Sequence, residues 1–162
     1  MFLVRALTHL RHIDGVCLLA GDGPLRHELE RVALDEGVTD RIRFLGFQEG
    51  VAQVMSQMDV VVMPSLDETF GITIVEAFAL KKMVIASDVG GIPELVHHGR
   101  TGLLVPPRDS RALADAIEYA YTHRSECEQM GKNAYAFAVD TFTTSVMVDR
   151  TLASFQPPAT TP

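Results

Sequence analysis

Five short apolar runs, at residues 16–20, 42–45, 60–63, 84–86 and 103–105, alternate along this chain with stretches of helical pattern. Several are near-continuous Val, Ile and Leu, the mark of strands covered on both sheet faces. Strands separated by helices pair in parallel, because each crossover needs about a helix of chain to return. The intervening helices are expected at 25–35, 51–58, 72–81 and, briefly, 93–97. Beyond the last run the chain turns wholly helical, with Asp109 or Ser110 capping 111–121, then 126–139 and 144–155. The expectation is one α/β domain over residues 1–155, a Rossmann-like parallel sheet with flanking helices, and a disordered tail at 156–162. The chain opens on a helix, 2–10, with no strand before it. Sheets of this kind usually begin with a strand, often a central one, so the first strand reads as missing. Unpaired edges follow from such a loss. They predict either closure by pairing strands that are normally separated, or self-association.

The 162 residues suffice for one domain with a proper core and are too few for two. A formal net charge of −7 argues against a nucleic-acid partner, since phosphate backbones need a basic face. Cys17 lies in an apolar run and Cys127 in a helical stretch. Their spacing fits neither a zinc site nor a disulfide framework, so they read as incidental thiols of a reducing cytoplasm. No run reaches the length of a membrane span, and Met1-Phe2-Leu3-Val4-Arg5 lacks the layout of a signal peptide.

The chemistry concentrates in Pro64-Ser65-Leu66-Asp67-Glu68-Thr69-Phe70-Gly71-Ile72-Thr73-Ile74-Val75-Glu76-Ala77-Phe78. A strand runs into a glycine turn and then a helix, with Glu68 before the turn and Glu76 after it. The helix is apolar on nearly every side except at Thr73 and Glu76, which share a face three residues apart. On that pattern the helix is buried, and an unpaired Glu76 would be a costly buried charge. The amides of Phe70, Gly71, Ile72 and Thr73 stand at the helix N-terminus, where anions bind. A carboxylate one turn along can accept from sugar hydroxyls, which together suggest a nucleotide diphosphate sugar. The alternative gives Glu68 a capping role and Glu76 a surface salt bridge. Two further glycine turns end strands: Gly21-Asp22-Gly23-Pro24, with Pro24 opening the next helix, and Gly46 before Phe47, which would either stack on a base or be buried. The first lacks the third glycine of the dinucleotide fingerprint, Arg26 standing in its place, and no P-loop run is present. Gly90-Gly91-Ile92-Pro93-Glu94 repeats the turn-to-helix arrangement, with His97 and His98 at that helix's end as dipole-compensating cations.

Together these segments resemble the C-terminal, nucleotide-sugar-binding domain of the retaining glycosyltransferases of family four, the glycosyl transferases group 1, which have the GT-B architecture. The resemblance rests on G-D-G-P at 21–24, F-L-G at 44–46, P-S-x-x-E-x-F-G at 64–71, the E-x7-E pair Glu68 and Glu76, V-G-G-I-P-E at 89–94 and G-R-T-G-L-L-V-P-P at 99–107. It implies a hexosyltransferase-type enzyme in which Glu68 contacts the donor sugar near the reacting carbon. Phe70, Gly71 and Ile72 would offer amides to sugar and diphosphate, Thr73 would sit by the phosphates or ribose, and Glu76 would bind the ribose hydroxyls. Gly21, Gly23 and Gly46 would border the donor. Front-face displacement with retention is implied, with no cofactor and no metal required. The acceptor-binding N-terminal domain would be the missing partner, and any contact with an inner-membrane surface would be made through it. A non-catalytic nucleotide-sugar-binding subunit that needs a partner chain, or a sugar-nucleotide epimerase-like enzyme, are the alternatives. The chain departs from the pattern in lacking the loop cations that neutralise the diphosphate, for which Arg5 and Arg11 are poor substitutes. It departs again where Leu80-Lys81-Lys82-Met83 replaces a glycine-containing turn after the E-x7-E helix.

Overall fold

The computed structural model describes residues 1–154. The expected tail lies outside these residues, as does the end of the last helix as read from sequence. Among the described residues five parallel-pairing strands form: β1 (Cys17–Ala20), β2 (Ile42–Gly46), β3 (Val60–Met63), β4 (Met83–Ser87) and β5 (Gly102–Val105). Eight α-helices accompany them among the described residues: α1 (Phe2–Ala6), α2 (Arg26–Asp35), α3 (Val51–Ser56), α4 (Ile72–Ala79), α5 (Ile92–Leu95), α6 (Ser110–Thr122), α7 (Arg124–Phe142) and α8 (Thr144–Ser154). Strand and helix positions match the sequence pattern to within a few residues. The opening helix is shorter than expected, turning into a 3-10 segment over Leu7–Leu10.

The strands do not close into one sheet. β1 pairs only with β2, and β3, β4 and β5 form a separate three-stranded sheet in that order. The first of the two expected outcomes, pairing of β1 with β3, is therefore not observed. α1 packs on α6, and α4 on α7.

β4 shows why the layers form. All five of its residues are buried. Met83 and Ile85 join a cluster with Leu3, Leu7 and Leu113, whereas Val84 and Ala86 join one with Ile74, Phe78 and Ala134. That alternation is the strand's two-residue period, with an apolar layer on each side. Arg41 ties the approach to β1 into place: its guanidinium donates to the carbonyls of Leu10, Ile13 at 2.7 Å and Gly15 at 3.1 Å.

Candidate functional site

The site is built at the ends of β1, β2 and β3, where three glycine turns leave the strands. Gly21 (φ 127°) donates from its amide to the Gly46 carbonyl at 2.8 Å, so the turns after β1 and β2 are stitched together. Gly46 sits at φ 67°, in the left-handed region that side chains resist. Gly23 accepts from the Arg26 amide at 3.1 Å, closing a turn with Pro24 at its second position. Pro24 thus precedes the helix rather than opening it; α2 starts at Arg26. The Arg26 guanidinium lies against this pair of turns. A Cβ added at Gly46 would meet its Nη1 at 3.4 Å, and its centre stands 5.8 Å from the Phe44 ring. In the sequence Arg26 reads only as a departure from a fingerprint. Phe47 is 77% exposed, not buried.

The central turn follows β3. Gly71 takes φ 83°, ψ 51° and starts α4. Glu68 folds back on that turn: its Oε1 accepts from the amides of Gly71 at 3.1 Å and Phe70 at 3.4 Å. Glu68 thus holds the turn ahead of α4 without capping the helix itself, and it occupies two of the four amides expected to face a ligand. The amides of Ile72 and Thr73 have no acceptor among the described residues.

α4 is not buried all round. Ile74, Ala77 and Phe78 are fully buried, while Ile72 is 66% exposed and Glu76 and Ala79 also face solvent. The expectation of a buried helix fails because one layer of chain covers only one face. Glu76 is consequently no buried charge, and its carboxylate has no ion-pair or hydrogen-bond partner among the described residues, the surface salt bridge included. Thr73, half-buried, is among the residues that line a cavity, as is Met63.

A second turn braces the first. The Gly91 amide donates to the Glu68 carbonyl at 3.1 Å. A Cβ at Gly90 would stand 2.0 Å from the Glu68 carbonyl oxygen, and one at Gly91 2.4 Å from that of Thr69. The glycine pair is required by close approach of backbone to backbone, a contact between separate segments that the motif alone does not reveal. Phe70, half-exposed, rests edge-on against Phe142 at 5.9 Å, which in turn meets Phe137 at 5.5 Å.

The histidines lie past the end of α5 and are engaged elsewhere. α5 ends at Leu95, the His97 ring lies against Phe137 at 5.0 Å, and His98 Nδ1 accepts from the Leu104 amide at 3.1 Å. Arg5 and Arg11 are engaged elsewhere, with Glu36 and with the carbonyls of Glu36 and Gly37. No cluster of His, Cys, Asp and Glu capable of holding a metal occurs among the described residues. No helix among them is long and apolar enough to cross a membrane.

Similarity to known proteins extends over most of the chain. The family "Glycosyl transferases group 1" matches residues 2–137. The chain is 34% identical over 137 residues to the alpha-D-kanosaminyltransferase of Streptomyces kanamyceticus, covering 82% of this chain and 36% of that protein. The crystal structure of Anabaena HepE in complex with UDP and glucose superposes with a TM-score of 0.85 at 31% identity, over 94% of this chain and 44% of HepE. The C-terminal domain of the group 1 family protein LpcC from Francisella tularensis superposes with a TM-score of 0.78 at 25% identity, over 88% of this chain and 77% of that domain. This chain thus spans less than half the length of the first two. It belongs to the glycosyl transferases group 1, and corresponds to the C-terminal, Rossmann-like part of their GT-B architecture.

Proposed function

We propose that this chain is the donor-binding domain of a retaining glycosyltransferase, taking a nucleoside diphosphate sugar at the start of α4. The observation that carries the reading is the pair of unclaimed amides at Ile72 and Thr73 beside the unpartnered, exposed Glu76. An anionic diphosphate gains there from two donors and from the helix dipole, the latter about 0.3–1 kcal/mol. Glu76 accepts from the ribose hydroxyls. Glu68 holds the turn through Oε1 and presents Oε2 to the donor sugar. Gly21, Gly23 and Gly46 let the backbone border the nucleoside, with Phe47 as a stacking surface. The departing diphosphate takes the acceptor proton on the same face, and the protein acts by positioning and by stabilising leaving-group charge. The acceptor is bound by an N-terminal domain outside this chain, so the chain alone transfers little sugar. HepE, with UDP and glucose bound, makes UDP-glucose the first donor to try.

Calorimetric titration with UDP, GDP, ADP and their glucose conjugates tests the placement. Glu76→Ala should weaken the preferred ligand by about tenfold or more, the loss expected for a hydrogen bond to a charged group. Unchanged affinity would move the ribose elsewhere. The epimerase-like alternative predicts an altered sugar from labelled donor incubated with the chain alone.

A further inference from the structure

One charged side chain stands between the start of α2 and the turn after β2. Arg26 opens α2, and its Nη1 comes to 3.4 Å from where a Cβ on Gly46 would lie. Two contacts fix the group there. Its Nε donates to Glu30 Oε1 at 3.0 Å, and its centre stands 5.8 Å from the Phe44 ring. Among the described residues no acceptor takes Nη1 or Nη2. The side chain is 35% exposed, so a ligand can reach it. A guanidinium held in this way offers a planar fork of N–H donors and no acceptor.

Building on the donor reading above, we propose that Arg26 determines which nucleobase is bound, by donating from Nη1 and Nη2 to the base. With the ribose at Glu76, the base extends to the turns after β1 and β2 and offers them its edge remote from the sugar. On that edge uracil carries O4 and guanine O6, both acceptors, where cytosine and adenine carry amino donors. A donor-only fork therefore accepts the two oxo bases and opposes the two amino bases. Arg26 is poorly suited to the diphosphate. Glu30 already neutralises it through the ion pair at 3.0 Å. Its own amide is spent on the Gly23 carbonyl at 3.1 Å, which leaves the start of α2 one donor fewer for an anion. The free amides of Ile72 and Thr73 follow a different strand and keep that role. The dinucleotide fingerprint has glycine at this point, for close packing of helix on strand. Arginine puts donors there instead.

Calorimetry on the whole 162-residue protein measures affinity for UDP, CDP, GDP and ADP. The tighter of UDP and GDP should bind about tenfold or more above its amino counterpart, CDP or ADP, the worth of hydrogen bonds from a charged donor. Which of the two leads identifies the base. Arg26→Met keeps an unbranched stem against Phe44 and removes the fork. It should reduce that ratio by about tenfold, toward one. A second arm leaves the protein unaltered and decides the matter should the variant fail to fold. The diphosphate of pyrimidin-2-one riboside (for UDP) or of 2-aminopurine riboside (for GDP) lacks the oxygen in question, and should bind about tenfold more weakly than its parent. No preference for the oxo base, or equal binding of parent and analogue, overturns the inference. So does an equal loss for all four nucleotides in Arg26→Met, which would assign the side chain to the phosphates or to the fold. If Glu76→Ala weakens binding while Arg26→Met leaves the ratio intact, this inference alone falls. If no nucleoside diphosphate binds, the donor reading falls with it.

Discussion

Glu68 and Gly91 illustrate how much one residue's role depends on a neighbour distant in sequence. The side chain of Glu68 grips its own turn, while its carbonyl is held at 3.1 Å by the Gly91 amide from the next turn. Gly91 has φ −80°, so alanine fits its conformation and only the approach to Thr69 forbids it. Gly91→Ala should therefore displace the Glu68 turn and weaken the preferred sugar nucleotide by about tenfold. Retained affinity with an intact fold would show that the brace does not shape the site. The pair Gly90-Gly91 is visible as a turn in the sequence; what it touches is not. Cys17 offers a separate test. Burial pushes its thiol up to about 11 from the ordinary value near 9. The folded protein then holds this proton where the unfolded chain has lost it, so stability falls as pH rises from about 9 to 11. The gap corresponds to about 3 kcal/mol at most. Denaturant unfolding of wild type and Cys17→Ala across that range should show a steeper decline for wild type, and parallel curves would refute the assignment.

At the level of single elements, the end of α4 departs from expectation in an instructive way. The stretch Leu80-Lys81-Lys82-Met83 lacks a glycine, yet the helix ends as if one were present. Lys81 itself takes φ 57°, its amide donates to Phe78 at 2.9 Å and that of Lys82 to Ala77 at 2.9 Å. This is a Schellman ending with lysine in the left-handed position, which costs a non-glycine residue about 1–2 kcal/mol. Tertiary contact keeps it there: a Cβ at Gly131 of α7 would meet the Lys81 carbonyl oxygen at 2.2 Å, and Lys81 Nζ sits 4.9 Å from the Tyr135 ring. Lys81→Gly removes the backbone strain and forfeits the cation–π contact, itself about 0.5–1 kcal/mol. The variant should be more stable by up to about 1 kcal/mol in urea unfolding. A destabilised variant would mean that the Tyr135 contact outweighs the strain. By contrast, the start of α6 follows from the sequence directly, since Asp109 Oδ1 accepts from the amides of Arg111 and Ala112 at 3.0 and 2.9 Å. An N-cap needs only residues within a turn of it.

Over the whole molecule the division into two sheets governs cooperativity. β4 lies at the centre of its sheet with every residue buried, whereas β1 is half-buried to exposed and has one strand partner. Native-state hydrogen exchange should find the β4 amides opening only with global unfolding, and those of β1 and β2 opening at lower free energy. Equal protection in both sheets would show that the helix layers couple them fully. The sequence alone determined the α/β class, the order and approximate bounds of the strands and helices, the glycine turns that end them, and the E-x7-E segment. These depend on apolar periodicity, turn chemistry and motif order, which are local properties written residue by residue. Tertiary structure alone decided that β1 and β3 stay apart, that α4 leaves Ile72 and Glu76 in solvent, and that Gly90 and Gly91 press on the Glu68 turn. Each is set by which surfaces meet across long stretches of chain. Burial is a property of that meeting, so a run of apolar residues can name a helix without telling which of its faces will be covered.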